Sequence, residues 1–63
     1  MKTYDELVAA TLRKEFGTRA AAAVRDTLDK VRSMPDYVRN GEAAQLVLER
    51  GKRVLKILLV DLH

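Results

Sequence analysis

Apolar side chains recur along this chain at steps of three or four residues in three stretches, each bounded by residues that start or stop a helix. Tyr4, Val8, Leu12 and Phe16 stand four apart with Leu7 beside them, which places them on one face of a helix. Thr3 lies just ahead and Glu6 three residues on, the spacing of a capping box in which hydroxyl and carboxylate satisfy amide donors at a helix start. Gly17 can take the positive φ that closes a helix. A first helix is therefore predicted over about 4–16. Thr18 is placed to cap a second, over about 19–32, where Ala20 to Ala23 have high helix propensity and Val24, Leu28 and Val31 extend one apolar face. The alanines carry little apolar volume but allow a neighbouring helix to approach closely. Asp26 and Lys30, four apart, suit an outward ion pair.

The pattern breaks at Ser33, Met34, Pro35 and Asp36, because the proline ring disfavours helical geometry at Met34 and Ser33 can cap a new turn. A short helical turn fits at 35–39, before Asn40 and Gly41 punctuate again. Glu42 opens the most apolar stretch, a third helix over 42–62. Leu46, Val47, Leu48, Val54, Leu55, Ile57, Leu58, Leu59, Val60 and Leu62 are apolar there, while Gln45, Glu49, Lys52, Arg53 and Lys56 share one narrow stripe. A strand over Val54 to Val60 is the competing reading, but no second strand is available to pair with it. Gly51 costs about 1 kcal/mol relative to alanine inside a helix, so it marks a break, a kink or a close helix contact. The expected fold is all-α, a single small three-helix bundle spanning residues 1–63.

Size changes this picture. A chain of 63 residues hides only about 60% of the surface its unfolded form exposes, and this one has no cysteine and no metal-ligand cluster to staple it. Its third helix has more large aliphatic groups than two small helices can cover. Self-association, as a homodimer, is the expected remedy, with Leu48, Leu55, Leu59 and Leu62 as the candidate seam. A cytoplasmic protein is expected, because Lys2, Asp5, Glu6, Arg13, Lys14 and Glu15 leave no secretory apolar run. The charges at Glu49, Arg50, Lys52, Arg53 and Lys56 break the last stretch well short of the roughly 20 apolar residues of a membrane span.

The formal net charge is +3, and the concentrated part of it is Arg50, Lys52, Arg53 and Lys56, a candidate contact for nucleic acid or an acidic partner. Residues 42–58 match a helix-turn-helix in part. Ala44, Val47, Val54 and Ile57 occupy packing positions and the cations would face phosphates, but Leu48 and Glu49 stand where the turn usually has glycine and an apolar residue. Met34 and Tyr37, on the turn between helices, are candidate anchors for a partner. No enzymatic motif is present. His63 is terminal, and Asp26 with Asp29 lies among Arg25, Lys30 and Arg32 as a solvated face. No cofactor, metal or small-molecule substrate is expected. The reading is a small intracellular binding or regulatory protein that acts through protein–protein contacts, a protein partner being favoured over nucleic acid. The alternative is a dimeric DNA-binding transcriptional regulator.

Overall fold

The computed structural model describes residues 2–60. The chain is an all-α bundle of three long helices: α1 (Tyr4–Phe16), α2 (Ala20–Arg32) and α4 (Glu42–Val60), with a single helical turn, α3 (Asp36–Arg39), between the last two. The stretch 54–60 is helical, so the strand alternative falls. The predicted helix ends at 61 and 62 lie outside the described residues.

Local chemistry sets the boundaries. At the start of α1 the Thr3 hydroxyl accepts from the Glu6 amide at 3.2 Å, and the Thr3 amide donates to the Glu6 carboxylate at 3.3 Å. This is the capping box the spacing implied. Gly17 closes α1 at φ 61°, the one positive φ among the described residues, which glycine adopts without steric cost. A 3₁₀ turn, Gly17–Arg19, then leads into α2. Two expected caps are corrected here. Thr18 lies inside that turn and Arg19, not Thr18, precedes α2 with no side-chain cap; the chain continues almost helically from one element to the next, so there are few free amides to cap. Ser33 does not cap α3 either, since its hydroxyl donates back to the Lys30 carbonyl at 2.9 Å.

The reversal before α4 is held by Arg39. Its guanidinium pairs with Asp36 and donates to the Arg32 carbonyl at 3.0 Å, tying α3 to the end of α2. The Gln45 side-chain Nε2 donates to the Arg39 carbonyl at 2.8 Å. A connection this short makes α4 run back along α2, and these two helices form the largest interface.

The core is narrow. It consists of Ala9, Ala20, Ala21, Val24, Leu28, Val31, Val54 and Leu58, three alanines and three valines among eight residues, and so has little volume. Its closest approach is at Gly51, where an added β-carbon would fall 2.5 Å from Leu28 Cδ2. Of the three roles open to Gly51, the structure shows close helix contact within an uninterrupted α4. The molecule measures 36 × 25 × 18 Å. A helix with its side chains is about 10–12 Å across, so the shortest dimension leaves room for less than two full helix diameters and each helix keeps a face toward solvent.

Candidate functional site

Of the grooves that flank α4, two share Leu28 of α2 at their base, while another lies between the start of α1 and the last turns of α4. The first opens between α1, α2 and the N-terminal half of α4 and encloses about 450 Å³. Val8, Leu12 and Phe16 form its α1 wall, Ala23 and Thr27 its α2 wall, and Leu46 and Val47 its α4 wall. It stays open because α2 presents alanine where a larger side chain would fill the space. Thr27 adds no polar demand, since its hydroxyl donates to the Ala23 carbonyl at 3.0 Å. Leu46 is 52% exposed and Val47 41%, large values for side chains bordering a bundle's interior.

The mouth of this apolar groove carries one charge cluster. Asp5, only 17% exposed, accepts from Arg50 at 3.3 Å and from Arg53 at 2.9 Å. Arg50 also lies over the Tyr4 ring at 4.8 Å from its centroid. Each of these partly exposed contacts stabilises by about 1 kcal/mol or less, but together they fix the two arginines against α1. Asp5 is 45 and 48 residues away in sequence, which is why the basic stripe reads as four equivalent cations until the chain is folded.

The second groove lies between α2 and the C-terminal half of α4 and encloses about 580 Å³. Lys52 and Lys56 border it from α4 and Arg25 and Arg32 from α2, with Leu55 and Leu59 between them. Asp29 is the single acid on its lining and pairs with Arg32 at 3.5 Å. That pair replaces the expected Asp26–Lys30 pair, which does not form. Arg25 and Arg32 were not singled out from the sequence. The signal was present, since they lie seven apart on α2 and flank Leu28.

The other predicted positions distribute as follows. Leu48 and Leu55 are half-buried against the bundle's own core, Leu59 is exposed at its edge, and Leu62 lies outside the described residues. Met34 is exposed and Tyr37 is 84% exposed, so Tyr37 projects from α3 rather than closing the end of the bundle. The helix-turn-helix reading of 42–58 is corrected: α4 runs from Glu42 to Val60 without a turn, because Leu48 and Glu49 continue the helix and Gly51 serves packing. Among the described residues no three His, Cys, Asp or Glu gather as a metal site, and no helix is long and apolar enough to cross a membrane. Comparison with protein-family models, curated proteins and solved structures finds no match, so the geometry alone bears on what the protein does.

Proposed function

We propose that the chain is a small cytoplasmic binding and regulatory protein that works through protein–protein contacts and pairs with a second copy of itself across the apolar groove. The observation that carries this is the open, mostly apolar cleft bordered by Phe16, Leu46 and Val47, three large apolar side chains left in water by a bundle whose core is mostly alanine and valine. A projecting rim beside a concavity suits a twofold interface, in which each copy's rim enters the other's cleft. Charge supports the same occupant. Asp5 and Arg50 offset one another at this face, whereas Arg25, Lys52 and Lys56 on the lining of the second groove have no ion-pair partner among the described residues, and two such surfaces would repel. On this reading the seam lies at Leu46 and Val47 in place of the expected Leu48, Leu55, Leu59 and Leu62. A stable interface takes about 800 Å² from each partner, so Tyr4 and Leu7, exposed at the edge of α1, must be engaged as well.

Sedimentation equilibrium across the micromolar range tests this reading. Wild type is expected to dimerise, and Leu46→Asp to remain monomeric with its helical content intact, because the new carboxylate stays hydrated on a half-exposed position. A monomeric wild type at every concentration, or a Leu46→Asp variant that still pairs, overturns it.

A further inference from the structure

We infer that the groove between α2 and α4 is a docking site for an acidic amphipathic helix of another protein, a second surface that does not rest on the pairing across the apolar groove. Arg25 and Arg32 are two helical turns apart on α2, and Lys52 and Lys56 are one turn apart on α4. Folding brings the two sets to opposite walls of one trough. Arg25, Lys52 and Lys56 have no ion-pair partner among the described residues, so an anionic ligand meets charge that the protein leaves unbalanced. Between the walls lie Leu55 and Leu59, one turn apart, with buried Leu28 behind them.

The apolar floor decides the class of ligand. A phosphate backbone has nothing to place on leucine, and single strands gain affinity by stacking bases on aromatic rings, of which this groove has none. A bilayer offers a flat surface, whereas here the cations stand on two separate helices with half-buried Leu55 and edge-exposed Leu59 between them. An amphipathic helix satisfies both features at once. Its apolar stripe, repeating every three or four residues, lies on Leu55 and Leu59, and glutamates on its flanks reach the cations on either wall.

The test uses fluorescence anisotropy with a synthetic helical peptide bearing a leucine stripe flanked by glutamates, a scramble of the same composition, and a duplex DNA; vesicles containing phosphatidylserine are assayed by co-sedimentation. The intact protein is expected to bind the patterned peptide on the order of tenfold more tightly than the scramble, with affinity falling as salt rises. Lys52→Glu/Lys56→Glu is expected to lose about tenfold or more, while Lys2→Glu/Lys14→Glu, the same change of net charge away from the groove, loses about twofold or less. Self-association is expected to be unchanged in both, which separates this site from the apolar groove. Should the charge reversal lower helical content, Lys52→Gln/Lys56→Gln provides the comparison. Equal binding of peptide and scramble, equal loss in the two double variants, or tighter binding of DNA or vesicles than of the peptide overturns the inference.

Discussion

The two grooves beside α4 share a helix and share Leu28, yet differ in what surrounds them. One is apolar to its mouth, where Asp5 holds Arg50; the other has leucines between its walls and cations on both of them. A short chain with one strongly apolar helix meets a problem of coverage. Two partner helices with alanine-rich or short apolar faces cannot cover α4 all round, so apolar surface remains on both its flanks. Charge then separates the flanks, one carrying an acid beside its arginine and the other cations on both walls.

Leu28 is the partition between the grooves, and its removal should have the largest effect. Leu28→Ala deletes a side chain that is 2% exposed and opens the base of each groove into the other. Buried leucine to alanine costs about 2–5 kcal/mol, a large fraction of what a domain this small can have. Circular dichroism should show the variant largely unfolded near room temperature, and a well-folded Leu28→Ala would mean that the partition contributes little.

Gly51→Ala tests the same contact from the other side. Alanine gains about 1 kcal/mol of helix propensity, but its β-carbon falls 2.5 Å from Leu28 Cδ2 and 3.2 Å from Leu28 Cγ. Overpacking of this kind costs about 1–3 kcal/mol, so the net result should be a loss of about 1 kcal/mol in urea denaturation. A net gain would show that Leu28 moves aside freely, which would also alter the floor of both grooves.

These two residues show what could and could not be read in advance. Helix periodicity, the capping box at Thr3 and Glu6, the positive φ at Gly17 and the break at Pro35 are local, and a sequence displays local chemistry directly. The excess of apolar groups on α4 was legible for the same reason. Which of them stay exposed was not. Leu48 and Leu55 look no different in pattern from Leu46, and only the placement of α1 and α2 decides that the first two are mostly covered while the third is half exposed. The fate of the basic stripe was equally hidden, because Asp5 reaches Arg50 and Arg53 across most of the chain, and Arg25 and Arg32 join Lys52 and Lys56 only through packing. Gly51 stands out in the sequence of α4, but its role depends on Leu28 opposite.

Asp5→Asn should have a smaller effect on stability and a selective one on the comparison. Its two contacts are with arginines that are roughly half exposed, so the loss of stability should stay within about 1 kcal/mol. The apolar groove, however, changes from a face whose acid offsets its arginine to a cationic one. Pairing of two copies should weaken at low salt and recover as salt screens the repulsion, which sedimentation at two ionic strengths can measure. Unchanged pairing at low salt would show that charge does not choose between the grooves.

The smallest effect is expected at Tyr37, although its side chain is among the most conspicuous on the surface. It is 84% exposed on a helix of a single turn and lines neither groove. Truncating an exposed side chain removed from caps and packing changes stability by about 0.5 kcal/mol or less. Tyr37→Ala should therefore leave the urea midpoint, the dimer and binding of the acidic helical peptide as they are in wild type. Because α3 reaches the bundle through Arg39 and not through this ring, a loss in any one of those assays would assign the turn between α2 and α4 a part in that contact, and the division of the surface into two grooves would have to be redrawn to include it.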